Sequence, residues 1–377
     1  MVDMVCSNFD NVIVIYNGAN QFELGFVDEY PQIKSVVWCP GTGNVGFNAL
    51  GKVFSGEVNP SGKTPDTFIY DMTTAPWWNN AEKTEYTNLA DMAVEGMNAG
   101  TAQMYAPAFT NYVEGIYVGY KYYETAAQEG SIDYDKTVQY PFGYGLSYTE
   151  FEQKMGELEE KDGQISVDVE VTNTGDVAGK DVVEVYYKPP YTNGGIEKSS
   201  ANLIEFSKTD LLQPGETQTV TVTFSIEDMA SYDENNAKAY VLEKGDYVIS
   251  INSDSHTVLD QKTYTAGDDV VYKGENKRAS DDIAASNVFE NAKGDVTYLS
   301  RADHFANYEE ATKAPASAEL GEPYISEYHL NSNFDKTTSG DASAGHHWRA
   351  SSGSRQGSQR TGRSDSETAR EKRAFAG

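Results

Sequence analysis

The sequence predicts an α/β plus all-β multidomain chain: a partial doubly wound α/β sandwich followed by a β-sandwich of the immunoglobulin or fibronectin type III kind. Three observations carry this. Helix-like and strand-like units alternate over residues 2–68, clean period-two alternation runs from residue 165 to 251, and the aromatic, glycine-rich stretch Tyr140-Pro-Phe-Gly-Tyr-Gly-Leu-Ser-Tyr148 stands between them. Three kinds of turn-forming or aromatic residue crowded into nine positions suit a shaped surface turn rather than a strand or a helix.

In the first region, Asn11–Tyr16 and Ser35–Trp38 are β-branched or apolar runs, each ending in turn residues: Asn17-Gly18 and Cys39-Pro-Gly-Thr-Gly43. They read as buried parallel strands. Phe22–Tyr30 and Asn44–Phe54 read as the intervening helices. Residues 69–110 are polar, aromatic and poorly periodic, with Trp77-Trp78, and read as a long ordered insertion in a domain spanning residues 1–150.

After a charged stretch, Gly156–Gly163, taken as a hinge, Ile165, Val167, Val169 and Val171 share one face of a strand. Val183, Val185 and Tyr187 repeat the pattern, as do Val220, Val222, Phe224 and Ile226. Tyr240–Leu242 and Tyr247–Ile251 follow, and turns at Asn173-Thr-Gly175, Gln213-Pro-Gly-Glu216 and Lys244-Gly-Asp246 punctuate the set. Strands at this spacing over residues 151–266 make a sandwich. Residues 267–341 read as a linker holding one compact patch, Asp295–Arg301, and residues 342–377 as a basic tail too poor in large apolar side chains to fold.

Composition bounds the function. The chain of 377 residues has 39% apolar and 12% aromatic residues, enough for real cores, and a net charge of −29. Six of its eight arginines lie in 342–377, where seven basic residues face three acidic ones; the other 341 residues therefore carry −33. So acidic a body repels nucleic acid and anionic membrane and suits a neutral ligand. No basic, apolar leader opens the chain, which sets the expectation of a cytoplasmic protein. Cys6 and Cys39 lie in apolar surroundings and are expected to be free thiols, a disulfide being the alternative. The histidines form no cluster at ligand spacing, and neither metal nor cofactor is expected. Gly41-Thr-Gly-Asn-Val-Gly46 matches a dinucleotide fingerprint only superficially, because no acidic ribose ligand ends a following strand.

Three segments together resemble family 3 glycoside hydrolases, the β-glucosidase and β-xylosidase group. They are Trp38–Pro65, ending in Asn59-Pro-Ser-Gly-Lys-Thr-Pro65; Tyr112-Val-Glu-Gly-Ile-Tyr-Val-Gly-Tyr-Lys-Tyr-Tyr123; and Tyr140–Tyr148 with Thr149 and Phe151. The sandwich adds Leu212-Gln-Pro-Gly-Glu216 and Tyr240-Val-Leu-Glu-Lys-Gly-Asp-Tyr247.

The resemblance implies retaining hydrolysis of terminal β-linked glucosyl or related residues by two carboxyl groups about 5 to 5.5 Å apart. It places the nucleophilic aspartate in a separate (β/α)8 barrel and the acid/base glutamate upstream of the Asn11–Tyr16 strand. The Ser-Asp pairs at 253/254, 280/281 and 364/365 lack the aromatic that follows such a nucleophile, and Glu23, Glu57 and Glu114 fall outside the acid/base motif.

No catalytic residue is therefore assigned here, and the chain alone is expected to be inactive: a fragment whose partners are a β-linked glucoside and a missing barrel. Asn287–Tyr308 resembles the linker of members in which the barrel follows. The arginine-rich tail then fits a reading-frame change, with a disordered linker or a basic arm as alternatives. The alternative function is a non-catalytic carbohydrate-binding or scaffolding module, for which Trp77 and Trp78 are the candidate sugar-stacking residues. Anchoring the long insertion to the sandwich is the competing role for that pair, and domain packing for the tyrosines between 117 and 123.

Overall fold

The computed structural model describes residues 1–319 apart from 83, 89–92, 99–100, 106–107 and 287–294; the tail 342–377 and its proposed origin lie outside the described residues. The chain divides into two units, residues 1–84 with 109–316, and residues 85–108 with 317–377. In the second, Val94–Asn98 pairs antiparallel with Thr101–Tyr105, and the Thr87 N–H donates to the Ala318 carbonyl at 2.9 Å.

The first unit opens with helix α1 (Val2–Cys6), then strand β1 (Val12–Tyr16) parallel to β2 (Ile33–Trp38). Between the strands a single 3-10 turn, Gly25–Glu29, replaces the expected helix. Helix α2 (Phe47–Phe54) follows the glycine loop. Parallel pairing is as expected, but burial is not: Ile13 and Ile15 remain 50% and 47% exposed, because these two strands form a sheet of their own and one face is left uncovered. The other face is closed by rings. Tyr16 stacks on Phe22, Trp38 meets Phe68 edge-on at 5.2 Å, and Phe68 meets Tyr140 at 6.3 Å. Phe68 and Tyr140 belong to β3 (Phe68–Ile69) and β4 (Val138–Tyr140), which pair antiparallel. Cys6 and Cys39 are free thiols.

Helix α3 (Tyr120–Gln128) begins after Gly119, whose φ of 59° is open to glycine at little cost. Helix α4 (Tyr134–Thr137) leads into β4. The first strand of the sandwich starts at Phe151. Gly156–Gly163 is no hinge, since β5 runs from Phe151 to Lys161 and turns through Asp162-Gly163, both at positive φ, into β6 (Gln164–Asn173). An acidic outer face on this edge strand hid its alternation, while Met155 and Leu158 face inward.

Strands β7 (Val182–Lys188), β8 (Asn202–Lys208), β9 (Thr217–Ser225), β10 (Ser231–Asp233), β11 (Ala239–Leu242), β12 (Gly245–Asn252), β13 (Val258–Ala266) and β14 (Val270–Tyr272) complete the domain. The sheets are ordered β9-β6-β5 and β8-β7-β12-β13, with a small ribbon β10-β11-β14. β14 carries the folded sandwich past residue 266 by pairing with β11.

The core lies between the two large sheets. Ile165, Val167, Val169 and Val171 of β6 meet Val183 and Val185 of β7 and Ile249 and Ile251 of β12, all essentially inaccessible to water. Each such side chain contributes about 1.5–3 kcal/mol by leaving water. Asn173 ends β6 inside this core with its amide fully used. Its oxygen accepts from Thr149 Oγ1 at 2.7 Å and the Gly175 N–H at 3.1 Å, and its nitrogen donates to the carbonyls of Val177 and Leu212.

Residues 295–312 form a strap rather than a free linker. Leu299, Phe305 and Ala311 are buried with Tyr117, Tyr122 and Tyr123. Three consecutive non-glycine residues, Asp303, His304 and Phe305, hold φ between 51° and 62° to turn the Phe305 ring inward.

Candidate functional site

The three motif segments converge on one junction between the α/β layer and the sandwich. In the Asn59–Pro65 loop, Asn59 Oδ1 accepts from the Tyr148 N–H at 2.8 Å and Ser147 Oγ at 3.1 Å, while its amide donates to the Ala178 carbonyl. Thr64 exchanges backbone bonds with the aromatic turn: its N–H donates to Tyr144 at 2.7 Å and its carbonyl accepts from Gly143 at 2.8 Å. Thr64 Oγ1 donates to the Pro141 carbonyl, and Lys63 Nζ reaches the Ser253 carbonyl of the sandwich at 3.2 Å.

Helix α3 serves three partners at once. Tyr120 stacks on Phe142 at 4.7 Å, meets Tyr186 edge-on at 6.1 Å, and accepts the Leu203 N–H at 2.9 Å. Tyr122 packs beside Tyr123, Phe305 and Tyr308. Glu124, buried, accepts from Tyr134 Oη at 2.6 Å and Ser255 Oγ at 2.9 Å, and its other oxygen lies 2.9 Å from His256 Nδ1. That bond raises the His256 imidazole above its ordinary value against the opposing pull of burial, and the ring lies flat on Tyr134 at 3.7 Å. Tyr117, Tyr120, Tyr122 and Tyr123 are thus engaged in packing, the role weighed against sugar contact.

Glu184 is the most perturbed carboxyl of the junction. It projects from β7 on the face opposite the sandwich core, is 4% exposed, and is pushed up to about 7 by burial. Tyr186 Oη donates to it at 2.8 Å, and the charges of Lys63, Asp254 and Asp181 act on it in opposite directions. Glu114 and Asp66 are also raised by burial.

The strap is clamped by a second network. Arg301 Nε donates to Glu129 at 2.8 Å, its Nη1 to the Lys198 carbonyl at 2.9 Å, and its guanidinium covers the Tyr191 ring at 3.9 Å. Glu197 accepts from Tyr117 Oη, from Ser300 Oγ and from the Arg301 N–H.

Of the candidate sugar-stacking pair, Trp77 is partly buried against the Ile69, Ala75 and Tyr122 cluster, whereas Trp78 is 45% exposed with its ring 6.0 Å from that of Trp77. Neither belongs to the junction contacts. Sequence reasoning missed Glu184, Glu124, His256 and Arg301. Glu184 and Tyr186 carried a signal: bulky groups on the outward face of a strand whose inner face is valine mark a second layer covering it.

An α/β layer locked to a fibronectin-type sandwich through these motif loops defines the class of fold. Residues 1–120 match the glycosyl hydrolase family 3 C-terminal domain, and residues 181–255 the fibronectin type III-like domain. The chain belongs to glycoside hydrolase family 3.

Among relatives, it is 35% identical over 267 residues to a β-glucosidase of Ruminococcus albus, covering 69% of this chain and 24% of that protein. It is 36% identical over 267 residues to β-glucosidase A of Butyrivibrio fibrisolvens, covering 66% and 28%. Among solved structures it resembles a Paenibacillus barengoltzii β-glucosidase with a TM-score of 0.60 and 32% identity, covering 72% of this chain and 28% of that one. The Kluyveromyces marxianus β-glucosidase in complex with glucose follows at 0.59 and 27%, covering 72% and 29%. The chain spans about a quarter of the length of the relatives it matches.

Proposed function

We propose that this chain serves the hydrolysis of β-linked glucosides as the α/β and fibronectin-like part of a family 3 enzyme, with both reacting carboxyl groups supplied from outside the described residues. One observation supports the second half of that reading: Glu124 and Asp254, two buried carboxylates of the junction, are spent on structure. Glu124 holds three side chains, and Asp254 caps the N–H groups of His256 and Thr257. A general acid or nucleophile needs a carboxyl free to face substrate.

The kinship with β-glucosidases supports the substrate class. Purified chain is expected to leave an aryl β-glucoside intact and to support turnover once a family (β/α)8 barrel is added. Turnover by the chain alone would sink the proposal.

A non-catalytic carbohydrate-binding role is favoured by one feature, the exposed Trp78 ring. Saturable sugar binding lost in Trp78→Ala would select it.

A further inference from the structure

We propose that the Asn193-Gly194 pair is a self-modifying site, at which loss of ammonia from Asn193 leaves aspartate or isoaspartate and unfastens the strap of residues 295–312. The reactivity starts in the sequence. In an asparagine followed by glycine the next backbone nitrogen reaches the side-chain carbonyl carbon readily, because no Cβ stands in the way. The chain holds two such pairs, Asn17-Gly18 and Asn193-Gly194.

The structure separates the two. Asn193, Gly194 and Gly195 are exposed, the Gly195 N–H donates to the Thr192 carbonyl at 2.9 Å to close a turn, and a Cβ placed on Gly194 would meet nothing within 4 Å. Gly18 is pinned instead. Trp38 Nε1 donates to its carbonyl at 2.6 Å, Asn17 Nδ2 donates to the Cys39 carbonyl at 2.6 Å, and the Tyr16 ring fills the space beside the glycine. A backbone held in this way cannot swing its nitrogen onto the side chain.

The reaction needs only water besides the chain. Gly194 N gives its proton to solvent base and bonds to Asn193 Cγ; the Cγ–Nδ2 bond breaks, and the nitrogen takes a proton from water and leaves as ammonia. One water then opens the resulting succinimide at either carbonyl. Negative charge develops on Asn193 Oδ1 as the ring closes, and that atom already accepts the Asp303 N–H at 2.8 Å.

The consequence lies in what Asn193 holds. Its Nδ2 donates to Asp303 Oδ1 at 2.8 Å, so one amide grips both the backbone and the side chain of a single strap residue. A carboxylate in its place has no proton to donate and sets like charges in contact. Arg301, the neighbouring cation of the strap, is already committed to Glu129. Asp303, His304 and Phe305 all hold positive φ, a strained course that persists only while its surroundings enforce it. Without the Asn193 grip the turn relaxes, and the Phe305 ring leaves Tyr117 and Tyr122.

Peptide-resolved mass spectrometry of the full chain, kept folded at mildly alkaline pH and in parallel in urea, tests the chemistry. Asn193 is expected to convert at least fivefold faster than Asn17 in the folded chain, and at a similar rate in urea. Limited proteolysis of the same samples tests the consequence: cutting within residues 295–312 should rise in step with conversion, and Asn193→Asp should be cut at least fivefold faster than fresh parent from the outset. Asn193→Ser loses the amide without gaining charge, so it should fall between the two, and salt should narrow its distance from Asn193→Asp. An Asn193 that stays intact in the folded chain, conversion no faster than at Asn17, parental cutting of Asn193→Asp, or equal cutting of the two variants would each overturn the proposal.

Discussion

Gly143 of the aromatic turn and Glu184 of β7 touch across the domain junction: a Cβ placed on Gly143 would stand 2.9 Å from Oε1 of Glu184 and closer still to Oε2. The carboxyl therefore packs against bare backbone, with Tyr186 Oη as its hydrogen-bond partner. Water is excluded from it, and that exclusion is why the proton is retained up to about pH 7.

Stability should follow this proton. Glu184 rises from 4.5 in the open chain to about 7 in the fold, so its contribution is fully present below about pH 4.5 and is lost as pH climbs through 7. The difference is about 3 kcal/mol. Urea unfolding at pH 4.5 and pH 8 should show Glu184→Gln nearly matching the parent in acid and exceeding it by about 2–3 kcal/mol in base. Equal behaviour of the two proteins across the range would contradict the buried carboxyl.

Gly143→Ala should be costly for two separable reasons. The residue holds φ at 82°, where a side chain is strained, and the new methyl meets the Glu184 carboxyl. A loss of about 2–3 kcal/mol is expected. In a Glu184→Ala background the steric part disappears, so a double-mutant cycle should return a coupling of about 1 kcal/mol or more.

Much of the fold was legible because its signals are local. The alternation of Ile165–Val171 and Val220–Phe224 is the inner face of a two-sheet core, and Asn173-Thr-Gly175 and Gln213-Pro-Gly-Glu216 mark its turns. The edge strand β5 was not, because Glu157, Glu159 and Glu160 give it the composition of a linker. The family motifs were visible, but their purpose was not: that Asn59, Thr64, Tyr120 and Gly143 meet at one seam depends on tertiary contacts such as Asn59 to Ala178, 119 positions apart in sequence. Arg301 looked like part of a linker, since no short-range pattern reveals that Glu129 waits 172 residues earlier.

Arg301→Ala should release the strap. Burial pulls the Glu129 carboxyl upward, but Arg301 and His304 outweigh it and hold it below the ordinary carboxylate range. Removing the guanidinium leaves a mostly buried carboxylate short of its partner and uncovers Tyr191, a loss of about 3 kcal/mol. Limited proteolysis should then cut within residues 295–312 at a rate at least tenfold above the parent, with the sandwich resisting in both. An unchanged cleavage pattern would show that Leu299 and Phe305 alone secure the strap.

The adjacent tryptophans should separate under substitution. Trp77 packs against the buried cluster that contains Ile69, Ala75 and Tyr122, so Trp77→Ala removes apolar contacts and should cost about 2 kcal/mol. Trp78 leaves almost half its surface in water, and Trp78→Ala should change stability by less than about 0.5 kcal/mol. The same pair of variants, titrated with cellobiose, divides anchoring from recognition. If Trp77→Ala unfolds more readily while Trp78→Ala binds sugar normally, the dipeptide is an anchor. If Trp78→Ala alone loses sugar, the exposed indole is a stacking platform and its neighbour the post that holds it.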